Sequence, residues 1–238
     1  MDRAQFLMTP LLEEEKAGGP DRQRINTMSV NANIPTLYDK ALCSKYKILT
    51  SAFFYPRGIR DFILQGLPIK DNDRILDAGC GHGILSRAIR SKIKREAVQG
   101  TQQFAFDISD DMLQGFRKTG ADGIDLRRLD VRELSYDNDF FDLIVTSAML
   151  EYVPDIENAL SSLKRCLKPG GKIYVFMSKK TRLNHFLFQP FGKPRCYSFP
   201  ELTNILLRVG FQNIERQRFP ASSFWLNIWG IIVEAGKT

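Results

Sequence analysis

The sequence has no uninterrupted run of eighteen apolar residues, the approximate length that a helix needs to cross a bilayer. Its amino terminus also lacks the basic segment and apolar core of a secretory signal peptide. Potential metal ligands are few and scattered, with no C-x-x-C pair; they are His82, His185, Cys43, Cys80, Cys166 and Cys196. This pattern predicts reduced thiols, no structural zinc and a cytoplasmic location.

Acidic residues are scarce in the last third of the chain. From Leu163 onward, thirteen Lys or Arg residues stand against three acidic ones, Glu201, Glu215 and Glu234, while the whole chain carries a formal charge of +7. Such an excess suits nucleic acid, an anionic membrane surface or an acidic substrate, and it does not choose among them. A solvated face that keeps the protein soluble is the alternative.

The 238 residues are enough for one sizeable domain with additions. Residues 1–30 show little apolar periodicity and are expected to form a flexible extension, while helical spacing over 31–70 predicts a helical cap. The main domain is predicted over 71–238. Within it, 179–199 is long, aromatic and basic, which is typical either of a lid or of an aromatic cluster packed on the body.

Strand and helix patterns alternate through the main domain. The predicted strands are Ile75–Ala78, Gln103–Asp107, Asp125–Arg128, Phe141–Ser147, Lys172–Met177, Ile214–Arg218 and Trp229–Ala235. The predicted helices are Leu85–Lys94, Asp110–Lys118, Asp155–Leu167 and Pro200–Val209. Repeated strand–helix–strand units indicate a doubly wound α/β fold, with a mostly parallel seven-stranded sheet covered by helices on both faces.

The most informative segment is a short apolar strand that ends in Asp77 and is followed by Gly79, Gly81 and Gly83 before a helix begins. Glycines allow positive φ and close approach of a ligand, and the helix start offers free N–H donors, so a nucleotide-like ligand is predicted. Position 84 is Ile, where the dinucleotide fingerprint has Gly or Ala. A dinucleotide site is therefore disfavoured.

Acidic residues follow the next two strands. Asp107 closes the second strand, where a carboxylate can accept hydrogen bonds from both ribose hydroxyls. Asp130 and Val131 follow the third, where they offer an acceptor to an exocyclic amine and an apolar neighbour to a ring.

In this order the motifs resemble those of class I S-adenosylmethionine-dependent methyltransferases, and they are similar to the small-molecule group that includes the ubiquinone and menaquinone C-methyltransferases. The matching segments are Ile75–Gly83, Phe106–Leu113, Asp130–Val131, Leu134–Asp142, Met149–Asp155 and Leu167–Gly171. The resemblance covers about residues 70–178. It implies a Rossmann-like fold, S-adenosylmethionine as the cofactor and S-adenosylhomocysteine as the product.

The resemblance also assigns site residues. The positions that it implies around the methionine part of the cofactor are Asp77, Gly79, Cys80, Gly81, Gly83 and Ser147. Those that it implies around the ribose and adenine are Asp107, Ile108, Met112, Asp130 and Val131. Methyl transfer is an in-line displacement, so positioning in a desolvated pocket supplies much of the catalysis, and a base is needed only for an acceptor that must lose a proton.

The candidate catalytic residues are His185, Tyr152 and Tyr197, and Tyr152 stands where many relatives have histidine. A supporting role is expected for Glu151. The favoured function is methyl transfer to a small apolar, aromatic, lipid-like or quinone-like acceptor, with an anionic membrane surface as a peripheral partner and no stable nucleic-acid partner. An RNA or protein methyltransferase and a non-catalytic cofactor-binding protein are the alternatives.

Overall fold

The computed structural model describes residues 55–188 and 194–238. One sheet carries seven strands in the order β3-β2-β1-β4-β5-β7-β6. The strands are β1 Arg74–Ala78, β2 Gln102–Asp107, β3 Ile124–Arg128, β4 Phe141–Ser147, β5 Leu167–Ser178, β6 Gln212–Gln217 and β7 Gly230–Gly236. All neighbouring pairs from β3 to β5 are parallel, and β7 is antiparallel to both β5 and β6. The predicted fold class is confirmed.

Helices cover both faces of the sheet. They are α1 Tyr55–Gly66, α2 Ile84–Glu96, α3 Asp110–Gly120, α4 Ile156–Cys166, α5 Arg182–Phe188, α6 Phe199–Val209 and α7 Leu226–Trp229. The helices α1 and α2 pack on one face with α7, α3 packs on the same face over β2, and α4 and α6 pack on the other. The central strands β4 and β5 are buried on both faces, as their unbroken apolar runs predict.

Local sequence accounts for where several helices begin. Ser109 caps α3 by accepting a hydrogen bond from the Met112 amide, with two aspartates in the first turn. Ser198 and Glu201 form a capping box at α6, with Pro200 in the first turn. These signals explain why the predicted helices occur close to their expected positions.

The segment Lys168–Gly171 lies between the predicted helix Asp155–Leu167 and the predicted strand Lys172–Met177, and in the structure it is part of β5. The helix α4 ends at Cys166, and β5 begins at the next residue. Leu167 of β5 pairs with Phe141 of β4, and the next pair is Lys172 with Leu143, so the residues 168–171 are left out of the pairing with β4. The looped-out glycines instead exchange backbone hydrogen bonds with Lys237. The segment is therefore a bulge held by the distant end of the chain.

Two further differences concern the end of the domain. The segment 179–199 contains the helix α5, and its residues 189–193 lie outside the described part. Trp229, predicted as the first residue of a strand, closes the short helix α7 instead. The predicted extension 1–30 and most of the predicted cap 31–70 also lie outside the described part, which includes α1. In the described ranges no helix is long and apolar enough to cross a membrane.

Candidate active site

The glycine loop connects β1 to α2 at the carboxyl edge of the sheet. Gly79, Gly81 and Gly83 have φ values of +71°, +50° and +77°. An L side chain is disfavoured in this region of backbone space, so the loop requires glycine. The loop is tied to the next strand because the Cys80 amide donates to the carbonyl of Phe106 at 2.8 Å.

The three glycines face different surroundings. A Cβ at Gly83 would lie 2.1 Å from the buried ring of Phe116, and one at Gly79 would lie 2.6 Å from the Met149 side chain. A Cβ at Gly81 would meet only the Met112 sulfur, at 4.0 Å. Gly79 and Gly83 therefore serve close packing of the protein itself, and Gly81 is the glycine that leaves open space beside the loop.

Asp77 is buried where β1 ends. Its Oδ2 accepts hydrogen bonds from the amide and the hydroxyl of Ser86 in α2, at 3.0 and 2.6 Å. Its Oδ1 is also buried and has no hydrogen-bond partner among the described residues. Burial raises the pKa of Asp77 to about 7, against the opposing effect of the Ser86 hydrogen bonds. An unpaired buried oxygen is costly, and a donor from a ligand would satisfy it.

Asp107 joins the glycine loop to the start of α3. Its Oδ2 accepts a hydrogen bond from the Gly81 amide at 2.8 Å, and its Oδ1 accepts one from the Ser109 amide at 2.9 Å. Burial raises the pKa of Asp107, while these backbone hydrogen bonds lower it. The carboxylate is thus held beside Gly81, and carboxylate oxygens can accept further bonds from a ribose.

The loop region gathers other predicted positions. Met112 faces Gly81 from α3, and Ile108 lies between Asp107 and the cap of that helix. His82 packs over Gly115 of α3, which explains why position 115 is small. Cys80 is buried, and burial raises the pKa of its thiol. The helix terminus therefore does not activate this cysteine as a nucleophile.

The sequence predicts that the Asp130 carboxylate is free to accept a hydrogen bond from an exocyclic amine, but in the structure it is bound by Arg132. The Arg132 guanidinium donates to both carboxylate oxygens, at 3.0 and 2.6 Å, and the Arg132 amide donates to Oδ1. Burial raises the pKa of Asp130, but the bonds from Arg132 outweigh it and leave the pKa below its usual range. The neighbouring Val131 is buried in the core, so its side chain contributes an apolar wall.

Ser147 ends β4, and the structure pairs it with a residue that the sequence analysis did not single out. The hydroxyls of Tyr55 and Ser147 are 3.0 Å apart. Burial raises the pKa of Tyr55, the hydrogen bond to Ser147 lowers it, and the charge of Glu151 raises it further. No local signal marks Tyr55, because its partner lies 92 residues away in the chain.

Glu151 lies just after β4 on a short 3-10 helix, Leu150–Tyr152, and is buried. Its carboxylate accepts hydrogen bonds from the amide and the hydroxyl of Ser178, the last residue of β5. Burial raises the pKa of Glu151 to about 7. Burial, and to a smaller extent the charge of Glu151, raise the pKa of the Cys196 thiol to about 11. The polar cluster Tyr55, Ser147, Glu151 and Ser178 therefore lies where β4 and β5 end.

The three predicted catalytic residues are placed around this edge to different extents. Tyr152 lies on the same 3-10 helix as Glu151. Tyr197 bridges to Lys179 after β5, and its carbonyl accepts a hydrogen bond from the Lys180 amide. The side chain of His185 lies outside the described part of the chain, although its backbone belongs to α5.

The residues of the glycine loop fit the cofactor that the sequence motifs imply. S-Adenosylmethionine has an amino group that suits the unsatisfied Asp77 oxygen, and ribose hydroxyls that suit the Asp107 carboxylate. Gly81 provides the open approach between them. A cofactor of this kind also follows the general rule that ligands bind at the carboxyl ends of parallel strands.

The matching relatives are methyltransferases. The family of the methyltransferase domain matches residues 52–216. The ubiquinone biosynthesis O-methyltransferase of Xylella fastidiosa is 28% identical over 159 residues, which are 60% of this chain and 61% of that protein. The ubiquinone/menaquinone biosynthesis C-methyltransferase of Proteus mirabilis is 29% identical over 178 residues, 71% of this chain and 66% of that protein. The chain thus spans about three fifths to two thirds of the length of these relatives.

A solved S-adenosylmethionine-dependent methyltransferase from Aquifex aeolicus has the same fold. It superposes with a TM-score of 0.64 at 18% identity, covering 82% of this chain and 98% of that one. The match to the family extends over more than half of the chain and includes the glycine loop, Asp107 and the ends of β4 and β5. The chain belongs to the methyltransferase domain family, and its fold is the Rossmann-like one of that solved structure.

Proposed function

We propose that this protein transfers a methyl group from S-adenosylmethionine to a small apolar, aromatic, lipid-like or quinone-like acceptor. The observation that carries the donor side is the buried Asp77 carboxyl, with one oxygen unsatisfied among the described residues at the base of the glycine loop. A buried polar atom without a partner calls for a ligand that supplies one. When bound, the cofactor supplies an electrophilic methyl group on a sulfonium.

On the donor side, the residues bind and orient. Asp77 meets the amino group, Asp107 meets the ribose while it fixes the Gly81 amide, and Ile108 and Met112 flank the adenine. Because the Asp130 carboxylate is paired with Arg132, we assign the contact with the adenine to the Asp130 backbone and to Val131 rather than to that carboxylate. Holding the reacting atoms in line then supplies much of the rate enhancement.

On the acceptor side, the cluster Tyr55, Ser147, Glu151 and Ser178 provides polar groups in a buried setting. A carboxyl whose pKa lies near 7 is partly ionised at neutral pH, and this is the range in which a general base works best. Glu151 is therefore our candidate to take the proton of a phenol or an activated carbon. Roles for Tyr152, Tyr197 and His185 remain predictions, as do the lid over 179–199 and the cap over 31–70.

The acceptor class is supported by the names of the matching relatives, which act in ubiquinone and menaquinone biosynthesis. The same edge of the sheet is bordered by aromatic side chains, since the rings of Tyr55 and Phe219 lie 6.4 Å apart in an edge-to-face arrangement. Aromatic walls with a few polar groups are typical of small-molecule pockets.

The donor assignment is tested with Asp107→Ala and calorimetric titration of S-adenosylhomocysteine. The affinity should fall at least about tenfold, because the variant loses both the ribose acceptor and the tie to the Gly81 amide. The matched control is Asp125→Ala on β3, whose carboxylate pairs with Arg127 at the surface. Equal affinity of Asp107→Ala and the unaltered protein would overturn the assignment.

The acceptor class is tested by incubating the protein with methyl-labelled cofactor and fractionated cell extract, alongside hydroxylated quinone precursors. Label should enter a small organic-soluble product and persist after nuclease or protease treatment. Loss of the label after either treatment would indicate an RNA or protein acceptor. Tight cofactor binding without any label transfer would indicate a non-catalytic binding protein.

A further inference from the structure

Four large apolar side chains are exposed at one end of the fold. Leu183 and Phe186 on α5 are 49% and 74% exposed, and Phe224 and Ile228 around α7 are 65% and 60% exposed. Residues 183 and 186 are three apart on α5 and share a face, while Phe224 and Ile228 lie on the short hydrogen-bonded segment that includes α7. We call these four residues the apolar edge. Solitary exposed apolar residues are common, whereas grouped ones mark interaction sites.

The two halves of the apolar edge are joined by a buried link. The Asn184 side-chain amide donates to the carbonyl oxygens of Lys179 and Trp229, both at 2.7 Å, and the Lys179 amide donates to Trp229 as well. Asn184 adjoins Leu183, and Trp229 adjoins Ile228. The link therefore holds α5 and α7 side by side, with their exposed apolar residues on neighbouring elements.

The surroundings of the apolar edge are basic. Segments 55–60, 179–188 and 218–229 contain six Lys or Arg residues and no Asp or Glu. Arg57, Arg60 and Arg182 are exposed. The acidic residue that follows the first segment, Asp61, accepts hydrogen bonds from the hydroxyls of Ser222 and Ser223. Of the six cations, Lys180 forms an ion pair with Glu201 of α6. The three segments themselves supply no carboxylate to neutralise the other five.

The helix α1 brings its arginines next to the apolar edge. Gly58 packs so closely on Leu226 of α7 that a Cβ at position 58 would lie 2.0 Å from the Leu226 side chain. Arg57 and Arg60 flank this contact in the sequence. Tyr55, at the start of the same helix, reaches Ser147 in the candidate active site. The basic and apolar groups therefore adjoin the elements that border the acceptor side.

We propose that the apolar edge, with Arg57, Arg60 and Arg182, docks this protein on an anionic phospholipid bilayer. The apolar side chains enter the headgroup region and the arginines meet the lipid phosphates. RNA is a weaker match, because Leu183 and Ile228 have neither a ring to stack on a base nor a hydrogen-bonding group. Docking is separate from methyl transfer, and it would bring a lipid-like acceptor to the site from the membrane.

The test is sedimentation of the whole 238-residue chain, without cofactor or acceptor, with vesicles of phosphatidylglycerol and phosphatidylcholine. Binding should be strong to these vesicles, at least about tenfold weaker to phosphatidylcholine alone, and reduced at high salt. The variant Phe186→Ala/Phe224→Ala should lower the partition coefficient about tenfold or more, because the favourable free energy of moving each phenyl ring from water into the bilayer is lost. Arg57→Gln/Arg60→Gln should lower it to a similar extent.

Two matched controls keep the interpretation specific. Leu207 is 55% exposed but lies on α6, on the opposite face of the sheet, so Leu207→Ala should bind like the unaltered protein. Arg117 is exposed on α3, which packs on β2 and β3 at the far end of the strand order from β7 and β6, so Arg117→Gln should also be unchanged. Circular dichroism establishes that each variant is folded.

The proposal is overturned if the protein does not bind the anionic vesicles, or if the double phenylalanine variant binds them as the unaltered protein does. It is also overturned if a structured RNA displaces the protein from the vesicles and binds the unaltered protein through the apolar edge. Since neither cofactor nor acceptor is present, failure of this test leaves the proposed methyl transfer standing, and failure of methyl transfer leaves vesicle binding standing.

Discussion

The hydroxyl of Tyr55 lies 3.0 Å from the hydroxyl of Ser147 and so connects the first turn of α1 to the carboxyl end of β4. The bond spans 92 residues of sequence and joins the element that precedes the sheet to the floor of the candidate active site. It lies near Glu151, in the polar cluster that we propose as the acceptor side, whereas the sequence motifs imply a place for Ser147 beside the methionine part of the cofactor.

Replacing Tyr55 by Phe should therefore affect turnover more than cofactor binding. We expect kcat to fall about tenfold, because Ser147 and the acceptor lose a positioned hydroxyl, while the affinity for S-adenosylhomocysteine changes less than about twofold. The matched control is Tyr136→Phe, since the buried Tyr136 hydroxyl has no partner among the described residues. That variant should keep its activity and be as stable as the unaltered protein or more so. A tenfold loss of affinity with unchanged kcat for Tyr55→Phe would contradict this assignment.

The glycines of the loop should separate folding from binding. Gly81→Ala places a Cβ in open space at a φ of +50°, which costs about 1 kcal/mol of stability and should weaken S-adenosylhomocysteine binding at least about tenfold. Gly83→Ala drives a Cβ into the buried Phe116 ring, so its loss in the free energy of unfolding should be several times that of Gly81→Ala. Urea denaturation and calorimetry measure the two effects. Unchanged binding by Gly81→Ala would show that the ligand does not approach there.

The buried carboxyls predict how stability changes with pH. Burial raises the pKa of Glu151 from 4.5 to about 7, so between these values the folded state binds more protons than the unfolded state. The resulting stabilisation is fully present below about pH 4.5 and is lost as the pH rises through about 7. In Glu151→Gln this loss is absent, so the variant should gain on the order of 3 kcal/mol relative to the unaltered protein between pH 5 and 8.

Chemical denaturation at a series of pH values measures this difference. Glu157→Gln is the control, because Glu157 is an exposed carboxyl that pairs with Arg208 at the surface. Its difference from the unaltered protein should stay constant across the same range. A constant difference for Glu151→Gln as well would show that the Glu151 carboxyl does not resist ionisation in the folded protein.

Asp77 should make cofactor binding depend on pH. Its pKa is raised to about 7, and a positively charged amino group beside Oδ1 would favour the ionised carboxylate. Affinity for S-adenosylhomocysteine should then fall up to about tenfold per pH unit below 7. Asp77→Asn should bind more weakly at pH 8 and lose this dependence. Parallel pH slopes for the two proteins would place the amino group elsewhere.

The sequence predicts the sheet well because its signals are local. Buried parallel strands give unbroken apolar runs, and the predicted bounds of Phe141–Ser147 are those of β4 in the structure. The ends of the predicted helices follow from caps and from the Pro-Gly-Gly segment after α4. Ion pairing of Asp130 could also have been read locally, since Arg132 lies two residues away.

Contacts between distant segments could not be read in the same way. The bulge at Lys168–Gly171 depends on pairing with Lys237, and the acceptor-side cluster depends on where α1 meets β4. Ser178, which holds Glu151, gives only a weak signal as a polar residue at the end of an apolar strand. The cofactor loop is therefore largely predictable from sequence, and the acceptor side requires the tertiary arrangement.

The reversed direction of β7 has a practical consequence for measurements on this protein. Gly236, the last residue of β7, pairs with Lys172, which follows the bulge in β5, and Lys237 continues this pairing to Gly171. These residues lie at the amino ends of the parallel strands, whereas Gly81 and Ser147 lie at the carboxyl ends. A biosensor linker attached after Thr238 would leave the molecule there, so an immobilised protein would keep its cofactor loop facing the flowing solution.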